Sequence, residues 1–356
     1  MRTRPRPASW KTGKLVVFLG ALISAGCGPS SAKETAAVVL YTSVDQEIAR
    51  PLVGAFEQQT GLRVRCRYDN ELTKTTGLVG RLRLEAERPV CDVFWSSEVF
   101  HTIQLARDGL FEPAVSRPPS SDPSLSSDER ASWPAAYRDP EGLWYGFALR
   151  ARVIAYNTRH LKPDEVPTEI TELALPRWRG RVVMARPSFG TTGGHVASWF
   201  ALFGPDRAET FLRQLRDNEV RLVEGNSQVV RAVAHGQADL GLTDTDDVWA
   251  AQRNGWPVGL VYPRHGDQGT LLIPNTVARV RGGPNAVGAA QLIAFLLSSD
   301  TERTLAESDS HNVPVRGSLA AEFERYSVES PMALSYQRIA ENLESALRAS
   351  AEILGP

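Results

Sequence analysis

Between Val38 and Trp95 the chain alternates strand-like and helix-like apolar patterns, and that alternation narrows the fold more than any other feature. Val38-Val39-Leu40-Tyr41 is a short apolar run. Leu52, Val53 and Phe56 then recur at helical spacing, with Pro51 suited to the first turn and Gly61 to the end. Leu62 to Tyr68 alternates apolar and polar residues, Leu78, Val79 and Leu82 mark a second helix ahead of Pro89, and Cys91 to Trp95 is a third strand. Strand, helix, strand, helix, strand at this pace predicts an α/β fold with a parallel, doubly wound sheet. The three strand ends open onto polar loops that carry Ser43 and Asp45, then Glu71 and Thr73, then Ser97 and Glu98. Ligands of such sheets sit beyond the carboxyl ends of the strands, where helix N-termini point free N–H groups outward. Ser43 with Gln46 three residues on also fits a capping box, which needs no ligand.

A second stretch, Val223 to Trp249, repeats the pattern. Gly225-Asn226-Ser227 ends a loop, Val229, Val230 and Val233 recur at helical spacing up to Gly236, and Ala238 to Leu242 reads as a buried strand. It opens onto Thr243-Asp244-Thr245-Asp246-Asp247, which offers three carboxylates and two hydroxyls where a ligand would sit. A helix cap and a favourable dipole account for one or two of these acids, not comfortably for all three. Upstream, the strand Val182 to Ala185 leads into Ser188-Phe189-Gly190-Thr191-Thr192-Gly193-Gly194-His195 and then an apolar helix, Val196 to Phe203. Small residues and hydroxyls before a helix leave N–H groups that can hold an anion, although a glycine-rich turn with a threonine cap gives the same letters.

The first 27 residues place Arg2, Arg4, Arg6, Lys11 and Lys14 before the apolar run Leu15 to Ala25, too short to span a membrane and typical of a secretory signal. It ends Leu22-Ile23-Ser24-Ala25-Gly26-Cys27, which resembles a bacterial lipobox with Ser24 at a position that normally carries an aliphatic residue. Lipidation at Cys27 is expected, with residues 28–36 as a tether and the lipid as the only membrane contact. The roughly 320 residues that follow, in a chain 42% hydrophobic, exceed what one core usually serves, so two lobes are expected. Extended runs at Ala148 to Asn157 and Thr270 to Val280 read as crossings between them. Residues 37–147 then form the first lobe, 148–269 the second, and 270–356 the return with C-terminal helices packed across both. Two lobes on two crossings make a hinged clamp. The formal net charge of −1 argues against a nucleic-acid partner. Cys66 and Cys91 can pair in an oxidising compartment, but their spacing does not demand it.

Val39-Leu40-Tyr41-Thr42-Ser43, Ala55-Phe56-Glu57-Gln58-Gln59-Thr60-Gly61, Asp92-Val93-Phe94-Trp95, Ala155-Tyr156-Asn157, Gly225-Asn226-Ser227, Gly236 to Leu242 and Pro274-Asn275-Thr276 stand in an order and spacing that are specific together. In these runs the mature chain resembles the substrate-binding proteins of ABC importers with the type II periplasmic fold, in the group of ferric-ion, phosphonate and thiamine receptors. The resemblance implies an extracytoplasmic receptor in the periplasm or cell envelope, a monomer that closes two lobes on a small ligand and serves permease and ATPase subunits. In ferric-binding members a histidine, a glutamate and a tyrosine pair hold the metal. Laid on this chain, these fall on Asp45, on Ser97 or Glu98, and on Asp246-Asp247.

The resemblance thus implies a metal set of Asp45, Glu98, Asp246 and Asp247 without phenolates, and carboxylates suit Mg, Ca, Mn or ferric ions. No cofactor is obligatory; a bound metal ion with an accompanying anion near Thr191, Thr192, Asn226 and Ser227 fits the pattern. The alternative is an organic solute whose ammonium meets Asp45, Asp246 and Asp247 while Thr191, Thr192 and Asn226 hold its acid group. Ser43, Glu71, Thr73 and Asp244 complete the candidate ligand set. A thiaminase-like enzyme would need a cysteine nucleophile with a base beside it at a strand's carboxyl end. Cys66 lies inside an expected strand, Cys91 begins one, and the six histidines are scattered without zinc-type spacing, so catalysis is not expected.

Overall fold

The computed structural model describes residues 37–69, 76–114, 133–188 and 190–355. The expected acyl site Cys27, the tether, and the candidate ligands Glu71 and Thr73 lie outside the described residues. The first strands and helices are β1 (Val38–Thr42), α1 (Gln46–Thr60), β2 (Val64–Tyr68), α2 (Thr76–Leu84), β3 (Val93–Ser96), α3 (Phe100–Arg107), β4 (Phe111–Glu112) and β5 (Trp144–Asn157). There follow β6 (Val182–Ala185), α4 (Gly190–Phe203), α5 (Pro205–Asp217), β7 (Arg221–Val223), α6 (Asn226–Ala234), β8 (Leu240–Asp244), α7 (Thr245–Arg253), β9 (Val258–Val261) and β10 (Leu272–Val280). The chain closes with α8 (Ala286–Leu296), α9 (Ser299–Glu307), α10 (Gly317–Glu322), α11 (Tyr336–Glu341) and α12 (Leu343–Leu354). Among the described residues no helix is long and apolar enough to cross a membrane.

The strands run in the order β2-β1-β3-β10-β5-β8-β6-β7, with β4 on β10 and β9 on β5. β1 pairs in parallel with β2 and β3, and β6 with β7 and β8, as a doubly wound sheet requires. The two parallel groups are joined by antiparallel strands: β10 pairs with β3 and β5, and β5 pairs with β8 and β9. The sheet is therefore mixed, because the chain must cross and return. β5 is buried along its whole length and serves both groups: Trp144 to Ala151 pair with β10, Arg152 to Tyr156 with β8. At the junction Ala148 adopts a left-handed φ of 49°, and the facing register slips between Pro274 and Asn275. The Asn275 side-chain amide donates to the Ala148 carbonyl at 2.8 Å, and the buried Glu302 carboxylate accepts its N–H. These bonds hold an alanine where glycine is usual.

Two local expectations change. Helix α1 starts at Gln46 with Asp45 at its cap position and no side-chain cap, so Ser43 forms no capping box; its hydroxyl instead accepts from the Ser97 N–H at 2.9 Å. The glycine-rich run expected as a loop is the start of α4. A β-carbon on Gly194 would lie 2.0 Å from the Phe100 ring, and one on Gly193 would lie 2.8 Å from Leu347, so these glycines allow close helix packing. Phe100 of α3 thereby touches α4 and meets the Tyr336 ring of α11 edge-on. Cys66 on β2 and Cys91, just before β3, are both free thiols, and β1 lies between those two strands.

Candidate functional site

A cleft of about 100 Å³ opens beyond the strand ends and is walled by both strand groups. Asp45, Trp95 and Ser97 come from the first group; Thr191, Thr192, Asn226, Ser227, Asp244, Asp246 and Asp247 come from the second; Arg150 and Asn275 come from the crossing strands. The N-termini of α1, α4, α6 and α7 all end at this cleft, which adds partial positive charge to a rim rich in carboxylates. Most sequence-derived candidates are thus gathered in one place. Ser43 and Glu98 are not among the lining residues. Ser43 is buried behind Ser97. The Glu98 carboxylate is wholly buried, accepting from the N–H groups of Phe100 and His101 at 2.6 and 3.2 Å and lying 3.0 Å from His101 Nδ1. It is tied to the start of α3, which removes it from the cleft as a metal ligand.

Asp244, one of the three carboxylates that the turn offers to a ligand, points inward, because β8 runs two residues further than the apolar pattern indicates. It is 2% exposed. Its Oδ1 accepts from Arg152 Nη1 at 2.7 Å, and its Oδ2 accepts from Arg150 Nε at 3.2 Å, Thr191 Oγ1 at 2.7 Å and Asn226 Nδ2 at 2.9 Å. Burial alone would raise this carboxyl, but the Arg152 and Arg150 guanidiniums with the Thr191 hydroxyl hold it below the usual range. With four donors on two oxygens, Asp244 is a fastening and not an open ligand.

Asp246 and Asp247 open the first turn of α7, and oxygens of Asp244, Asp246 and Asp247 lie within 4.8 Å of one another, close enough to hold one metal ion. Besides Asp244, the acids that line the cleft are Glu224, Asp246, Asp247 and, across it, the exposed Asp45. Thr192, Asn226, Ser97, Asn275 and Asn312 add neutral oxygens. This is hard-donor chemistry, suited to Mg, Ca, Mn or ferric ions over soft metals. Arg150 lies among them, 7% exposed, its Nη2 donating to the Ser97 carbonyl and its Nε 3.7 Å from Asp246 Oδ2. Burial works against its charge, yet Asp246, Asp244 and Asp247 push its pKa up.

Behind Asp244 runs a column that sequence reasoning missed. Arg152 Nε donates to His195 Nδ1 at 3.2 Å, His195 Nε2 lies 2.7 Å from His265 Nε2, and His265 Nδ1 lies 3.0 Å from the Gly269 carbonyl. Only one proton arrangement satisfies all three: Nδ1–H of His265 donates to Gly269, and Nε2–H of His195 donates to His265. Both rings are then neutral. Burial, Arg152 and each other's proximity hold His195 well below its ordinary pKa, and burial brings His265 to about 4. Arg150 and Arg152 did carry a signal: two arginines two residues apart in an apolar crossing strand share a face, and buried charges require partners. Burial pushes the Cys66 and Cys91 thiols up, Cys91 most strongly, and so disfavours their thiolate forms.

The bacterial extracellular solute-binding protein family model matches residues 88–339. Iron uptake protein A1 of Synechocystis is 28% identical over 309 residues, covering 82% of each chain. The major ferric iron-binding protein of Neisseria meningitidis is 26% identical over 273 residues, 75% of this chain and 78% of its own. The crystal structure of iron-bound HitA from Pseudomonas aeruginosa superposes with a TM-score of 0.75 at 23% identity, over 89% of this chain and 99% of that one. The mixed α/β sheet with two crossings is thus the type II periplasmic binding fold, and the chain belongs to the bacterial extracellular solute-binding proteins.

Proposed function

We propose that this chain is the extracytoplasmic receptor of an ABC importer of the iron or metal-ion uptake type, with a hard cation as cargo. The observation that carries the reading is the convergence of Asp45, Asp246 and Asp247 on one small cleft ringed by four helix N-termini. The carboxylates serve the cation, and Thr191, Thr192, Asn226 and Ser227 serve an accompanying anion. Relatives named for iron uptake and for ferric iron binding support the metal class. Lobes of residues 37–147 with 270–356 and of residues 148–269 close about Ala148 and Asn275 and deliver the cargo to permease and ATPase subunits. The receptor acts as a monomer, held to the envelope through Cys27, and has no catalysis of its own.

One observation favours a second cargo. Arg150 among the carboxylates suits an organic solute that bears both an ammonium and an acid group. Native mass spectrometry with elemental analysis of the protein as purified separates the two. A stoichiometric metal supports the first reading; a bound organic mass without metal overturns it.

A further inference from the structure

Two buried donors on the first wall of the cleft meet no acceptor in the protein. Among the described residues the indole Nε1 of Trp95 and the amide Nδ2 of Asn312 have no hydrogen-bond partner, although Trp95 is wholly buried and Asn312 is 3% exposed. Leaving a buried N–H unmet costs the desolvation of that group. Trp178, Trp199 and Trp249 also hold unpartnered indole N–H groups, but none of them lines the cleft, whereas Trp95 and Asn312 both do. An indole N–H only donates, so what Trp95 lacks is an acceptor, whichever way the Asn312 amide is turned.

The chain fixes where Asn312 stands. Leu305 and Val315, on either side of it, pack in the same buried cluster as Trp95, Phe147 and Leu149, so this segment belongs to the first strand group. Val313 exchanges two backbone hydrogen bonds of 2.7 Å with Leu149 of β5. On the other side His311 holds a left-handed φ of 46°. Its ring stacks on Tyr326 with centroids 4.1 Å apart, and its Nδ1 donates to the Ala306 carbonyl at 3.1 Å. Backbone strain that neighbours maintain in this way clusters at ligand-binding positions.

We propose that Asn312 and Trp95 are cargo-contacting residues: they give the first wall a face of hydrogen-bond donors, across from α7, and the cargo presents an oxygen acceptor to it. The inference rests on the cation reading above and sharpens it, because a bare cation offers no acceptor. The oxygen belongs either to water or hydroxide that stays on the metal or to a carboxylate bound to it. In both cases Asn312 and Trp95 select a cation that keeps an oxygen ligand of its own on this side.

The probe is terbium(III), alone and with one equivalent of oxalate, on the full chain with its native cargo removed; affinities are read by luminescence. Asn312→Leu, which keeps the side-chain shape without the amide, should weaken at least one of the two forms about tenfold, as loss of a hydrogen bond to a charged oxygen does. Weakening of terbium alone identifies metal-bound water or hydroxide, and weakening confined to the oxalate form identifies the carboxylate. The cargo-free variant should melt no lower than the unaltered protein, since an unmet amide has been removed. In nitrogen-15 spectra of the unaltered protein the Trp95 indole N–H, assigned by its absence from Trp95→Phe, should move downfield on binding diamagnetic lanthanum(III) in the same two forms. That measurement stands even where Asn312→Leu does not fold. Native affinity for both forms in Asn312→Leu, weakened binding together with a lowered melting temperature, or an indole resonance that stays in place in the loaded protein overturns the donor face and leaves the cation reading intact. Failure of the unaltered protein to bind terbium, alone or with oxalate, overturns the cation reading and the inference with it.

Discussion

Replacing Asp244 by asparagine separates fastening from binding at this cleft. The substitution keeps the shape but removes the charge facing Arg152, which is wholly buried, and turns an amide donor toward Arg150, Thr191 and Asn226, three groups that now donate to it. Breaking one side of a buried, hydrogen-bonded ion pair costs about 3–5 kcal/mol, because the surviving charge is left uncompensated. That is a large share of the roughly 5–15 kcal/mol that keeps a typical domain folded. In urea at pH 7 the unfolding midpoint of Asp244→Asn should therefore drop with little change in slope. Combining it with Arg152→Met should recover part of the loss, since the orphaned guanidinium is removed, and the shortfall from additivity measures the pair. If Asp244→Asn stays within about 1 kcal/mol of the unaltered protein and yet abolishes binding, then Asp244 is a cargo ligand and the fastening argument is wrong.

The remaining predictions follow from the same groups. Asp246→Asn with Asp247→Asn should abolish cation binding while leaving the empty protein as stable or slightly more so; a loss of about 1 kcal/mol with native affinity would make both acids mere helix caps. The buried histidines make the fold acid-sensitive: their folded pKa values lie below the ordinary His value near 6.5, so the unfolded chain binds more protons in that window and stability falls as pH drops from 6.5. His265 alone, at about 4, should contribute a loss of about 3 kcal/mol by pH 4, and urea titrations of His265→Gln should show that much less pH dependence than the unaltered chain. Cys27→Ala should move the protein from the membrane fraction to the soluble one in its native host, and unchanged fractionation would leave Cys27 an ordinary end of a signal peptide.

The parallel groups of strands were legible because their evidence is local. Leu52, Val53 and Phe56 at helical spacing, and the apolar run at Val182 to Ala185, each report a buried face within a few residues of chain. Both crossings were legible too, as extended runs, although the left-handed Ala148 and the register slip at Asn275 were not, since they depend on contacts with one another and with Glu302. The glycines before Val196 left two readings open, an anion-holding stretch and a glycine-rich turn with a threonine cap, and neither anticipated a close helix contact. That contact is made by Phe100 and Leu347, both distant in the chain.

The acids of the turn after β8 show the same limit at the level of function. Sequence reading set Asp246 and Asp247 in the metal set and Asp244 in the wider ligand set, with all three offered to a ligand because they follow one strand. What divides them is β5. Arg150 and Arg152 lie 94 and 92 residues from Asp244, and the antiparallel register sets Arg152 directly opposite it. A residue in that register is drawn into the sheet and neutralised, whereas Asp246 and Asp247 stand in the first turn of α7 and line the cleft. The contrast between one carboxylate fastened in the sheet and two that line the cleft is therefore a property of strand register. A one-residue slip of β8 against β5 would turn Asp244 to the other face of the sheet and leave two buried arginines without their acid. Such a slip costs far more than one hydrogen bond, which is why this buried ion pair also fixes how the crossing strand meets the second half of the sheet.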